Sequence, residues 1–150
     1  MEDDVPLVPP SAQENHGAPD SLVSELDALT SAALLAFERK DAMGAMSIYA
    51  DDLEYTQANG KTITRLQLLK DVRNQLHMIS TCKSTSHREI TEIIGESLTE
   101  ISTQHATIEV KVFVLFRKNW NLFRRCKRWW RQTESGWRIY KVEVIEESVV

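Results

Sequence analysis

Cysteine is scarce in this 150-residue chain, and the two that occur, Cys82 and Cys126, lie far apart with no CxxC and no Cys/His cluster. A disulfide framework and a structural zinc are thereby excluded, and a reducing compartment, the cytoplasm, is expected. Proline is absent after residue 19, which leaves the rest of the chain free to form uninterrupted helices and strands. No stretch approaches the roughly 18–20 apolar residues that cross a bilayer, and no basic leader precedes a hydrophobic run, so a soluble protein with no membrane partner is expected. Also missing are G-x-S-x-G, H-E-x-x-H and any phosphate-cradling Gly-rich loop, and no cofactor is expected.

Residues 1–19 hold all four prolines, four acids and no basic residue. Such a segment cannot bury enough apolar surface to offset its lost chain entropy, and it reads as a disordered acidic tail. The domain is expected over 20–150.

Charge is unevenly spread. The net value is −4, yet nine of the eighteen basic residues fall within 117–141 beside a single acid, Glu134. That segment contains RRCKRWWRQTESGWRIYKVEV, residues 124–144, whose tryptophans and arginines suit either a nucleic-acid surface or paired strands. Strand geometry places Arg125, Lys127, Trp129 and Arg131 on one face and Arg124, Cys126, Arg128 and Trp130 on the other. The split argues against a single cationic plane, and nucleic-acid or anion binding through 117–131 ranks third among the functional readings. Glu109, Glu143, Glu146 and Glu147 are expected as cross-strand partners.

Apolar spacing defines the helices. Leu22, Leu26, Leu29, Ala33 and Phe37 mark a helix from about 21 to 39, capped by Asp20 or Ser21. Asp41 caps a second, shorter helix with Met43, Met46 and Tyr49 inward. Thr64-Arg65-Leu66-Gln67 is a capping box opening a third. Between them, 53–57 has strand character, and Ala58-Asn59-Gly60-Lys61 is a turn. From Lys83 the period becomes two, with Ala106, Ile108, Val110, Val112, Val114 and Phe116 on one strand face, a turn at Lys118-Asn119-Trp120-Asn121, and a hairpin at Thr133-Glu134-Ser135-Gly136. Helices grouped before strands predict an α+β domain: three N-terminal helices packed on a strongly curved, mostly antiparallel sheet, a cone-shaped α+β barrel.

Three stretches carry a family resemblance: Ala36-Phe37-Glu38-Arg39-Lys40-Asp41 leading into Ile48-Tyr49-Ala50-Asp51-Asp52-Leu53-Glu54-Tyr55, then Asn59-Gly60-Lys61, then Trp129-Trp130-Arg131 with Ser135-Gly136-Trp137-Arg138-Ile139. Over about 21–147 the chain resembles the nuclear transport factor 2-like superfamily, the cystatin-like cone fold of ketosteroid isomerases and SnoaL-like cyclases. The resemblance implies the fold, and it implies a base, an oxyanion tyrosine and a protonated aspartate for isomerase chemistry. Here the base position is Gln57, the tyrosine position is Ala33, and 117–133 hold no carboxylate. The isomerase machinery is absent.

The leading functional reading is a small-molecule-binding or homodimerising module. Its pocket would be lined by Phe37, Met43, Met46, Tyr49, Tyr55, Arg128 and one of Trp129 or Trp130, suiting a small hydrophobic or anionic ligand. Homodimers are common among relatives of this resemblance, and Phe113 and Leu115 mark the expected contact. The alternative is a SnoaL-like lyase, cyclase or isomerase acting on a small hydrophobic carbonyl compound, with His87 or His105 as acid or base, Tyr49 or Tyr55 as donor and Asp71 as orienting carboxylate.

Overall fold

The computed structural model describes residues 17–113 and 116–150, without the side chains of 112–116. The expected tail lies outside the described residues up to position 16.

Helix α1, Asp20–Glu38, follows the predicted apolar stripe, with Leu26 buried and Leu22, Leu29 and Ala33 half-buried against the core. Pro19 rather than Asp20 or Ser21 takes the N-cap position, and its carbonyl accepts from Leu22 and Val23. Asp20 sits in the first turn, where its charge faces the positive end of the helix dipole. Helix α2, Ala42–Met46, is a single turn capped by Asp41, whose carboxylate accepts from Gly44 N at 3.0 Å. A Cβ at Gly44 would collide with that carboxylate and with the Ala36 methyl, so glycine is required there. So short a helix reaches the core only with Ala45 and Met46; Met43, expected inward, is 54% exposed.

Strand β1, Tyr49–Thr56, turns through Gly60 at φ +86° into β2, Thr62–Thr64. Helix α3, Arg65–Met78, opens on the predicted capping box: Gln67 N donates to Thr64 Oγ1 and Thr64 N to Gln67 Oε1. Four long strands follow: β3, Ile79–Ile94; β4, Ser97–Phe113; β5, Phe116–Thr133; and β6, Gly136–Val149. The turn expected at 118–121 is instead strand, since Lys118 pairs with Val110 and Trp120 with Ile108.

The sheet order is β2-β1-β6-β5-β4-β3, with only β1 and β6 parallel. It is curved but open, with β2 and β3 as its edges rather than the seam of a closed barrel. At the α1–β3 border, Ser84 N of the edge strand donates to Glu38 Oε2 at 3.1 Å, which satisfies one otherwise open backbone group. The core is densest where α1 crosses the end of the sheet that carries Trp130, Leu98, Ile90, Ile139 and Val142.

Candidate functional site

Side chains alternate across a strand, so the inner rows of β4 and β5 can be followed as cross-strand pairs. They are Leu98–Trp130, Glu100–Arg128, Ser102–Cys126, Gln104–Arg124, Ala106–Leu122 and Ile108–Trp120. The sequence thus lays three zones along one concave surface: an apolar apex, a polar belt and an apolar mouth.

The belt is organised around Glu100, which is fully buried. Arg128 Nε donates to Glu100 Oε1 at 2.7 Å, while Arg128 Nη2 stands 2.6 Å from the same oxygen but off hydrogen-bond alignment. Arg88 Nε donates to Glu100 Oε2, and the same guanidinium reaches back to α1, pairing with Asp27 and donating to Thr30 Oγ1 at 3.0 Å. Burial alone would push the Glu100 carboxyl up. The charges of Arg128 and Arg88 outweigh it and hold the group below its ordinary range. Trp130 Nε1, which meets no acceptor in hydrogen-bond geometry, lies close enough to add to that lowering. Arg128 in turn loses solvation but gains the Glu100 charge, and stays protonated.

Above this belt the cone is hollow. A cavity of about 510 Å³ lies between α1, α3 and the sheet, walled by Phe37, Met46, Ile108, Leu122 and Trp120. Arg124 enters it from β5 with its Nε bonded to Glu147 Oε2 of β6 at 2.6 Å. Tyr49 and Tyr55 enter from β1, and neither hydroxyl has a hydrogen-bond partner among the described residues. Burial pushes both phenols above their usual range, with Arg128 and Arg124 pulling in the opposite direction. They are neutral hydrogen-bond donors at physiological pH. Cys82 also lines the cavity, and burial raises its thiol, so it behaves as a small apolar wall.

The expected site residues divide. Phe37, Met46, Tyr49, Tyr55 and Arg128 meet at the cavity; Met43 does not. Trp130 fills the apex below, fully buried. Trp129 points to the outer face, between the ammonium groups of Lys127 at 5.0 Å and Lys141 at 4.7 Å. His105 is exposed on the outer face and packs on Phe123, with ring centroids 5.2 Å apart. His87 lines a separate groove between α1 and β3. Gln57, Ala33 and Asp71 do line the cavity. Leu115 and the Phe113 side chain lie outside the described residues.

Outside, basic positions alternate with acids: Lys127 sits opposite Glu143 and Arg125 opposite Glu146, while Arg131 binds Asp52 at 2.6 Å. Asp52 lies within β1 and serves that pair. Among the described residues no group of three His, Cys, Asp or Glu side chains could hold a metal ion, and no helix is long and apolar enough to cross a membrane.

Sequence reasoning missed Glu100 and Arg88. The signal was present in parity, since Glu100, Ser102 and Gln104 continue the inner row of Ala106 and Ile108 toward the apex.

Comparison with solved structures places this geometry. A conserved protein from Planctomyces limnophilus superposes with a TM-score of 0.76 at 11% identity, covering 88% of this chain and 100% of that one. A Streptomyces avermitilis protein named a putative dehydratase from the NTF2-like family gives 0.67 at 12%, covering 84% and 97%. A hexachlorocyclohexane dehydrochlorinase, LinA type 2, gives 0.67 at 14%, covering 87% and 91%. The chain therefore has the nuclear transport factor 2-like cone fold. No protein-family model matches the chain, and no curated protein matches it.

Proposed function

We propose that this protein binds a small, mainly hydrophobic molecule in the mouth half of its cone, held by hydrogen bonds with Tyr49 and Tyr55, without isomerase chemistry. The observation that carries this reading is the cavity of about 510 Å³ with two tyrosine hydroxyls that have no partner among the described residues. A mostly apolar chamber with a few convergent polar groups is the usual form of a small-molecule site. Two neutral hydroxyls, each able to donate or to accept, suit a carbonyl, ether or amine group on the guest. Gln57 stands where the isomerase resemblance puts a base, and an amide does not abstract a proton from carbon. An anionic guest is disfavoured because Arg124 and Arg128 already hold carboxylates. The enzymatic alternative, a lyase, cyclase or isomerase on a hydrophobic carbonyl compound, loses both histidines it would use, since neither lines the chamber. On the same fold, one neighbour is a dehydrochlorinase named for hexachlorocyclohexane, a small hydrophobic compound.

Titration with 2-acetylnaphthalene, followed through tryptophan fluorescence and melting temperature, tests the reading. Saturable one-to-one binding that raises the melting temperature is expected, along with its loss in Ala106→Trp. Tyr55→Phe should weaken binding by about 2- to 12-fold, the worth of one hydrogen bond. Failure of the native protein to bind saturably would overturn it.

A further inference from the structure

The charged groups that reach the cavity are Arg124, Arg128, Glu147 and Asp71. Both cations are neutralised from neighbouring strands, Arg128 by Glu100 and Arg124 by Glu147. The sheet side of the chamber therefore carries no uncompensated charge. Asp71 is different: it has no hydrogen bond or ion pair among the described residues.

Its position follows from helical spacing. Leu68, Asp71, Val72, Gln75 and Met78 recur at three- and four-residue steps along α3 and face the cavity together. A carboxylate thus interrupts an otherwise apolar and amide stripe. The helical neighbours able to reach it, at three and four positions either way, are Gln67, Leu68, Asn74 and Gln75. None is a cation. A half-buried carboxylate beside apolar walls, with no partner among the described residues, is available to pair with a cation that enters the chamber.

We propose that the guest of this cavity is a hydrophobic amine, its ammonium group bound by Asp71 and its apolar body enclosed by Phe37, Ile108 and Leu122. This rests on the small-molecule reading above and names the chemical class of the guest. A protonated amine gains a charge-assisted hydrogen bond at Asp71. It also enters a chamber walled by the rings of Phe37, Tyr49, Tyr55 and Trp120, whose faces attract cations. A carboxylate guest of the same shape meets the opposite situation. Asp71 repels it, and the guanidinium charges it would seek are already balanced by Glu147 and Glu100.

The test uses three probes that share one body: 1-(2-naphthyl)ethylamine, 2-acetylnaphthalene and 2-naphthoic acid, each titrated near neutral pH against the full chain. The amine is expected to bind at least about 10-fold tighter than the ketone, and the acid most weakly. Asp71→Asn should remove the amine's advantage over the ketone, and Asp71→Glu should retain the preference. Circular dichroism of each variant checks that α3 is intact. If the ketone binds but the amine binds no tighter, or if Asp71→Asn leaves the amine's affinity unchanged, the amine assignment is overturned while the cavity reading stands. If none of the three binds, both are overturned.

Discussion

The two ends of the cone are built from the same strands and differ in what those strands point inward. At the apex, β4 and β5 contribute Leu98 and Trp130, and Leu26, Ile90, Ile139 and Val142 close around them with almost no exposure. Toward the mouth the paired residues are Ala106 and Leu122, and the nearby core consists of only Ile79, Cys82 and Ala106, with Phe37, Ile108 and Leu122 half-buried around it. An indole at one level and a methyl group at the next decide whether the concave surface is filled or hollow. The Glu100 belt separates the two, so the apex acts as foundation and the mouth as chamber.

That contrast can be broken from either side, most severely at the belt. Glu100→Gln leaves Arg88 and Arg128 buried without their shared counter-charge, and urea unfolding should show a loss of about 3–5 kcal/mol. Trp130→Ala belongs to the same range, about 3–5 kcal/mol, because the rigid apex cannot collapse into the space left. Leu122→Ala, half-buried at the mouth, should cost about 1 kcal/mol or less by the same measurement. Equal losses for the apex and mouth variants would show that the chamber is packed core.

Overfilling sharpens the comparison in the opposite sense. Val142→Phe at the apex should lose about 1–3 kcal/mol, whereas Ala106→Leu should change stability by less than about 1 kcal/mol. The check is the difference between their unfolding midpoints.

The two levels should also respond to opposite ends of the pH scale. Glu100 has its folded value depressed, so its contribution is present above the unfolded value of about 4.3 and is lost as pH falls through the folded one. Tyr49 and Tyr55 have theirs raised, so their contribution is present below about 10 and is lost as pH rises beyond that. Stability measured against pH should fall on the acid side through the belt and on the alkaline side through the chamber wall. Tyr49→Phe and Tyr55→Phe together should soften only the alkaline limb.

The smallest effect belongs to the outer face. Arg131 and Asp52 are 38% and 63% exposed, and Asp52→Asn should cost no more than about 1 kcal/mol, less in high salt.

Much of this was legible in local sequence. The capping box at Thr64, the Asp41 cap and the parity of RRCKRWW follow from neighbours three residues apart or fewer, and parity alone put Arg124 and Arg128 on one side and Arg125 and Lys127 on the other. What failed was set by distant partners. Lys118-Asn119-Trp120-Asn121 has turn-forming residues, but pairing of Asn119 with Glu109 and Asn121 with Thr107 extends the strand through them. The Arg88–Glu100–Arg128 cluster joins three strands, and its members become neighbours only once the register of two hairpins is known. Trp129 and Trp130 were interchangeable in composition. Their separation into solvent and core depends on which face α1 covers.

The central claim is that the mouth half is a ligand-sized chamber and not packed core. A crystal structure of the protein with 2-acetylnaphthalene examines it most directly. The ring system is predicted between Phe37, Ile108 and Leu122, with its carbonyl oxygen within hydrogen-bond reach of Tyr49 or Tyr55. Density for the probe on the outer face beside Trp129, or none in a mouth closed by its own side chains, would contradict it.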